Sequence, residues 1–199
     1  MELLFPALLA CAAAFYGLGT ALLLRHRLRR RPAADPDTPV TVLKPLAGAI
    51  SGLETALESF LRQTPGRVQV IFGVGSPDDP ARPIAEGLIL RYPRVDATLV
   101  VAGPPIGPNP KVNSLRAMVV HARHDVLVIA DDDVLAPPHL LARLLGELRN
   151  PAVGLVTATY RVRPRSLPLA LHGLTMATEF FPSVVTAQGL EGGLAFALG

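Results

Sequence analysis

Three consecutive aspartates, Asp131, Asp132 and Asp133, directly follow an apolar run at residues 126–130. Neither lysine nor arginine stands beside them in the sequence. Like charges this close repel one another unless they share a cation. Mg²⁺ typically binds one or two carboxylates together with substrate phosphates. The triplet therefore predicts a metal–diphosphate site, and the alternative is an acidic helix cap, for which one aspartate would be enough.

Other charged residues follow predicted strands. Lys111 opens a predicted helix after the proline- and glycine-rich loop 103–110. A lysine adds charge to the positive end of the helix dipole, so a bound phosphate would explain it, whereas the alternative is an ordinary surface lysine. Lys44, after the first predicted strand, is a similar but weaker case. Asp79 either belongs to the site or caps the helix that starts near Pro80.

Strands and helices alternate along the chain from residue 40. The predicted strands are 41–43, 68–74, 98–101, 126–130 and 153–158, and the predicted helices are 53–61, 84–92, 112–122 and 138–148. Repeated β-α units predict an α/β fold with a mostly parallel sheet and helices on both faces. The run 126–130 is wholly apolar, which is typical of a strand buried at the centre of such a sheet.

The carboxyl ends of the predicted strands bring the charged residues together. Ligands of open α/β sheets bind beyond these ends. Lys44, Asp78-Asp79, Lys111 and the aspartate triplet all follow strands. We therefore expect them at one edge of the sheet.

Residues 3–24 contain no charged side chain, and roughly 20 helical residues cross a bilayer core. A cleaved signal peptide is the alternative, but it carries positive charge before a shorter apolar core. Here Glu2 precedes the run and an arginine-rich cluster at 25–31 follows it. These flanks predict an uncleaved transmembrane helix, with the rest of the chain in the cytoplasm. Residues 32–39 read as a polar linker.

The charge distribution argues against a nucleic-acid-binding surface, and the cysteine content excludes cysteine-based cross-links and metal sites. The net charge is +3, but the basic residues are concentrated in the cluster at 25–31 and the remainder is nearly neutral. A nucleic-acid-binding surface would spread lysine and arginine over the folded domain, so we expect no nucleic-acid partner. The single cysteine, Cys11, excludes a disulfide within the chain and a cysteine-based metal site.

Five short motifs occur in a fixed order between residues 40 and 162. They are Val42-Leu43-Lys44-Pro45-Leu46, Asp78-Asp79-Pro80-Ala81, Tyr92-Pro93 followed by Asp96-Ala97, Gly107-Pro108-Asn109-Pro110-Lys111-Val112-Asn113-Ser114-Leu115, and Asp131-Asp132-Asp133. Each motif alone is unspecific. The ordered set resembles the ceramide glucosyltransferase family (glycosyltransferase family 21), above all its bacterial branch of hopanoid-biosynthesis-associated glycosyltransferases.

The resemblance implies a fold, a reaction and a set of roles. It implies a GT-A fold, an inverting transfer, a UDP-sugar donor (glucose or N-acetylglucosamine) and a lipid acceptor resembling ceramide or a hopanoid. Asp79 matches the family's first essential aspartate, near the donor nucleotide. Lys111 and Asn113 match its donor-binding loop and helix. Asp131 matches the second aspartate, and Asp131-x-Asp133 looks like the DxD element that binds Mg²⁺ or Mn²⁺.

The residue pattern and the resemblance together predict three segments and a location. They are a transmembrane anchor at 3–24, a basic segment and linker at 25–39, and a GT-A domain at 40–199 that is incomplete at its C-terminus. The chain would lie in the bacterial inner membrane with its catalytic domain in the cytoplasm. Lys44 joins Asp79, Lys111, Asn113 and Asp131 as a predicted donor-binding residue.

One departure from the family limits what the chain would do alone. The family's third aspartate, the expected general base, and its (Q/R)-x-x-R-W element lie beyond Gly199, and Gly192–Ala197 resembles the strand before them. We therefore expect an N-terminal fragment without turnover of its own, the alternative being a natural truncation. Two further readings are a processive polysaccharide synthase of the same fold and a non-catalytic, membrane-tethered sugar-nucleotide-binding protein.

Overall fold

The computed structural model describes residues 4–63 and 67–193. The chain divides into two compact units. The sheet unit is Pro32–Arg149, and the helical unit joins Met1–Arg31 to Asn150–Gly199. Leu3 and most of the strand expected at 192–197 lie outside the described residues.

From β1 (Val40–Leu46) to α5 (Leu140–Leu148), the described elements follow one another in the α/β order that the sequence predicts. In chain order they are α1 (Leu4–Leu28), β1 (Val40–Leu46), α2 (Leu53–Leu61), β2 (Val68–Val74), α3 (Ala81–Arg91), β3 (Asp96–Val101), α4 (Pro110–Val119), β4 (Leu127–Ile129), α5 (Leu140–Leu148), α6 (Leu167–Thr175) and α7 (Phe181–Glu191), with a π-helical segment, Met176–Phe180, between the last two. The four strands form one parallel sheet in the order β3-β2-β1-β4.

Side chains that alternate along the strands bury both faces of the sheet. Val42 of β1 packs in a large core with residues of α2, α3 and α5. Leu43 and Ile71 pack on the other face against Met118 of α4, which lies so close that a side chain at Gly73 would collide with it. The predicted sheet with helices on both faces is therefore confirmed.

Two strands differ from the predictions because pairing, and not composition alone, sets their length. β1 extends to Leu46, so Lys44 lies within a fully buried strand and not in the loop after it. β4 keeps only three residues, and it lies at the edge of the sheet, where β1 is its one described partner. Leu127 and Ile129 are 39% and 57% exposed, so the prediction of a buried central strand was wrong.

The fifth predicted strand, at residues 153–158, does not form. These residues have no regular secondary structure and belong to the helical unit. The amide of Val153 instead donates to the carbonyl of Asn150 in a local turn (2.9 Å). An apolar run becomes a strand only where a neighbouring edge accepts its hydrogen bonds, and the described residues offer it none.

The helical unit contains the predicted apolar helix. Among the described residues, the segment Phe5–Leu28 of α1 is the one helix with the length and composition to cross a membrane. The helix runs past residue 24 through the first arginines of the cluster. Small residues let α7 pack on α1, since Gly19 lies next to Thr186 and Gly189 next to Leu22.

Candidate active site

The loops at the carboxyl ends of the strands are joined by an ion pair. The Nζ of Lys111, in the first turn of α4, lies 2.6 Å from Oδ1 of Asp131, just after β4. The two side chains are 42% and 46% exposed, so both remain accessible from solvent. The expected meeting of Lys111 and the triplet at one edge of the sheet is confirmed.

The loop after β1 joins two further aspartates to this edge. The Ala47 amide donates to Oδ2 of Asp132 (3.3 Å), and the Gly48 amide donates to Oδ1 of Asp79 (3.0 Å). Gly48 has a φ of 73°, a left-handed conformation that glycine adopts without strain. Adjacent backbone amides therefore hold carboxylates from two different strand ends side by side.

Asp79 also fulfils the capping role that the sequence left open. Its Oδ1 accepts a second hydrogen bond from the amide of Ala81, the first residue of α3 (2.8 Å). Both of these hydrogen bonds end on Oδ1. Capping therefore uses one oxygen of the carboxylate and does not conflict with a ligand at the other.

Asn109 and Asn113 shape the loop that presents Lys111. Asn109 caps α4 by accepting from the amides of Lys111 and Val112, and Pro110 follows it at the first helical position. The side chain of Asn113 accepts from the Ile106 amide (3.1 Å) and donates to the Gly107 carbonyl (2.9 Å). Asn113 thus fixes the loop, with both ends of its amide engaged. The Asn-Pro pair before a helix was the sequence signal for the cap, which our sequence analysis missed.

Lys44 lies beneath the triplet and has no exposed surface. Its Nζ donates to the main-chain carbonyl of Asp131 (2.5 Å) and lies 4.1 Å from the centre of the Phe60 ring. Burial lowers the pKa of Lys44 to about 8, although the nearby carboxylates of Asp132, Asp131 and Asp133 oppose the shift. Sequence analysis missed Phe60, since nothing in a helical apolar pattern marks one aromatic ring as the partner of a lysine.

The acidic residues fit a divalent metal only with help from a ligand. The part of the chain that the structure describes holds no group of three or more metal-ligating side chains. The triplet nevertheless supplies hard carboxylate oxygens at an accessible edge, and Mg²⁺ or Mn²⁺ completes its shell with phosphates and water in such sites. Asp131 and Asp133 are chemically suited to hold such an ion when a diphosphate is present.

The chain matches a known family along almost its whole length. The sequence profile of Glycosyl transferase family 21 matches residues 5–199. The chain belongs to glycosyl transferase family 21. The resemblance to ceramide glucosyltransferases that the motifs suggested is therefore confirmed.

Relatives of this family 21 chain include ceramide glucosyltransferases from fungi and a nematode. The enzyme of Candida albicans is 37% identical over 51% of this chain and 21% of its own length. Ceramide glucosyltransferase 1 of Caenorhabditis elegans is 32% identical over 57% and 24%. The Komagataella phaffii enzyme is 28% identical over 87% and 35%. The chain thus spans about a fifth to a third of the length of these curated relatives.

A solved structure confirms the fold of the family 21 chain. It is the mannosyltransferase PcManGT from Pyrobaculum calidifontis, in complex with GDP-Man and Mn²⁺. The likeness has a TM-score of 0.59 at 25% sequence identity and covers 79% of this chain and 47% of the other. The predicted GT-A type sheet is therefore correct.

Proposed function

We propose that the complete protein transfers a sugar from a UDP-sugar to a lipid hydroxyl, with inversion, in a reaction that requires Mg²⁺ or Mn²⁺. The observation that carries the proposal is the cluster of Lys111, Asp131, Asp132 and Asp79 at one sheet edge, in a chain that matches glycosyl transferase family 21 over residues 5–199. Glucose and N-acetylglucosamine are the candidate sugars, and a ceramide-like lipid or a hopanoid is the candidate acceptor.

The donor would bind across the carboxyl edge of the sheet. Lys111 is exposed at the start of α4, where its ammonium and the helix dipole both favour phosphate. Asp79 would accept hydrogen bonds from the nucleoside through Oδ2. Asn113 would act indirectly, because its side chain holds the loop before α4. The complex of the Pyrobaculum mannosyltransferase with GDP-Man supports a nucleotide-sugar donor.

Asp131 and Asp133 would hold the divalent ion. When bound, such an ion acts as a Lewis acid that stabilises the negative charge on the departing nucleoside diphosphate. Lys111 would add positive charge near the same phosphates. The Mn²⁺ in the mannosyltransferase complex supports metal dependence. The base that takes the acceptor's proton would lie outside residues 1–199.

The lipid acceptor and the membrane location rest on two separate observations. The relatives are named as ceramide glucosyltransferases, and ceramide is a membrane lipid. Segment Phe5–Leu28 is long and apolar enough to cross a bilayer. We infer a single N-terminal span in this chain, segments bounded at 3–24, 25–39 and 40–199, and a cytoplasmic catalytic domain at the bacterial inner membrane.

Product analysis with the complete protein tests the proposal. Membranes that carry it would be incubated with radiolabelled UDP-glucose or UDP-N-acetylglucosamine and Mn²⁺, then extracted with organic solvent. We expect the label in the lipid extract and its loss when EDTA is present. Label in a water-soluble polymer would instead support a processive synthase. Donor binding without any product would support a tethered sugar-nucleotide-binding protein.

A further inference from the structure

Lys44 occupies an unusual position for a charged residue. It lies in the middle of the sheet on β1, and its side chain is fully buried. A buried ammonium is retained only where specific partners replace water. Two described partners do so, the carbonyl of Asp131 at 2.5 Å and the face of the Phe60 ring at 4.1 Å.

The contact between Lys44 and Asp131 is made to the main chain. Lys111, in contrast, contacts a carboxylate oxygen of the same aspartate from the exposed side. The carbonyl held by Lys44 also accepts from the Val134 amide (3.3 Å), which closes a turn around the triplet. Asp131 is thus fixed from the core through its backbone and approached from solvent at its side chain.

We propose that Lys44 is a positioning residue that anchors the backbone of the aspartate triplet and does not itself contact the donor. The inference rests on the proposed function, because the triplet matters only if it binds the metal and the diphosphate. It gives Lys44 a place in the reaction different from that of Lys111. Lys111 meets the ligand, and Lys44 sets the position of the carboxylates that meet it.

The two possible roles of the Lys44 charge predict opposite changes in Mn²⁺ affinity when the lysine is removed. If Lys44 acted only as a nearby positive charge, its removal would relieve repulsion and tighten the binding of Mn²⁺. If it anchors the loop, its removal leaves the carboxylates less well ordered and weakens the binding of Mn²⁺. The direction of the change therefore decides between the two roles.

The test compares Lys44→Met with Lys111→Met in the complete protein. Methionine fills a similar volume without a charge, so the first variant removes the anchor and the second removes a lysine on the exposed side of the same aspartate. Bound and free Mn²⁺ would be measured by electron paramagnetic resonance at a fixed UDP concentration. For Lys44→Met we expect at least a tenfold rise in the half-saturating Mn²⁺ concentration.

Hydrogen exchange of the metal-free protein supplies a second readout, one that needs no ligand. The amide of Val134, which donates to the Asp131 carbonyl, should exchange at least tenfold faster in Lys44→Met and at the wild-type rate in Lys111→Met. Should Lys44→Met not fold, Phe60→Leu takes its place, because it keeps the lysine but removes the ring below it. It should accelerate exchange at the same amide by a smaller factor.

The outcomes separate this inference from the proposed function. Unchanged exchange of the Val134 amide in a folded Lys44→Met protein, or Mn²⁺ binding that is equal or tighter, would overturn the anchoring role. A wild-type protein that binds UDP without any need for Mn²⁺ would overturn the proposed metal site. In that case faster exchange in Lys44→Met would still establish the anchor, although not its part in catalysis.

Discussion

The ammonium of Lys111 and Oδ1 of Asp131 lie 2.6 Å apart and join the first turn of α4 to the loop after β4. Both side chains are about half exposed, and neither is locked in the core. A metal–diphosphate ligand would offer each a stronger partner, the metal for the carboxylate and the phosphates for the lysine. The pair therefore marks where the two halves of the ligand are expected to meet.

Replacement of Lys111 by methionine should weaken the binding of the diphosphate. We expect the affinity for UDP to fall about tenfold, equivalent to about 1.4 kcal/mol, because a charge-assisted contact is lost. The affinity for uridine, which has no phosphate, should not change. Isothermal titration calorimetry with Mn²⁺ present measures both. Arg116→Met, in the last turn of the same helix, is the matched control and should leave both affinities unchanged.

Replacement of Asp133 by asparagine should weaken UDP binding only when a divalent ion takes part. In Mn²⁺ we expect a loss of at least tenfold, about 1.4 kcal/mol, because a charged ligand of the ion becomes neutral. Asp125→Asn, before the amino end of β4 and exposed, is the control. If both variants bind UDP as the wild type does, with or without EDTA, the metal site at Asp131 and Asp133 is wrong.

The two functions of Asp79 can be separated by two substitutions. Asparagine keeps an oxygen that accepts from Gly48 and Ala81, whereas alanine removes it. Both should weaken UDP-sugar binding, because loss of a charged acceptor costs about 1.5–3 kcal/mol. Only Asp79→Ala should also lower the melting temperature. Mn²⁺ affinity measured without nucleotide should stay near wild type, and its loss in Asp79→Asn would contradict the assigned role.

Lowering the pH should weaken the contact between α2 and α3. The Tyr92 hydroxyl donates to Glu58 (2.5 Å), and this bond, followed by the one from Arg62, lowers the pKa of Glu58 below its usual 4.5. Because the folded state favours the carboxylate, the stabilisation is present above pH 4.5 and is lost as the pH falls through the lowered pKa. Tyr92→Phe should therefore melt earlier than wild type at pH 7, and the difference should shrink towards pH 3.

Glu54→Gln is the control for that experiment. Glu54 pairs with Arg91, also between α2 and α3, but both side chains are more than half exposed. Exposed ion pairs contribute little to stability, so its melting temperature should change little at either pH. Equal losses of melting temperature in the two variants would show that the Tyr92 hydroxyl stabilises the protein no more than the exposed ion pair does.

The orientation of the chain is testable in cells. The arginine-rich cluster follows the apolar segment of α1, which favours a cytoplasmic location for everything after it. Protease added outside sealed, right-side-out spheroplasts should leave the folded part intact, whereas lysis should expose it. Digestion from outside, before lysis, would reverse the predicted orientation.

The sequence by itself determined the order of elements from β1 to α5, and from it the candidate site residues were chosen. A short run rich in β-branched residues is sufficient to define β2, and its predicted bounds of 68–74 are those of the structure. The carboxylate triplet, Lys111 and Asp79 were found from residue type and from their places after strands. These features are local, so neighbouring residues carry the information about them.

Only the tertiary structure decided what Lys44 touches and which strands find partners. The Lys44 contact with Asp131 joins residues 87 positions apart, and no local pattern encodes it. The same holds for the runs at 126–130 and 153–158, which look alike in sequence. One pairs with β1 for three residues and the other forms no strand. Strand pairing and the burial of a charge depend on what the fold places beside them, because the compensating partners come from distant parts of the chain.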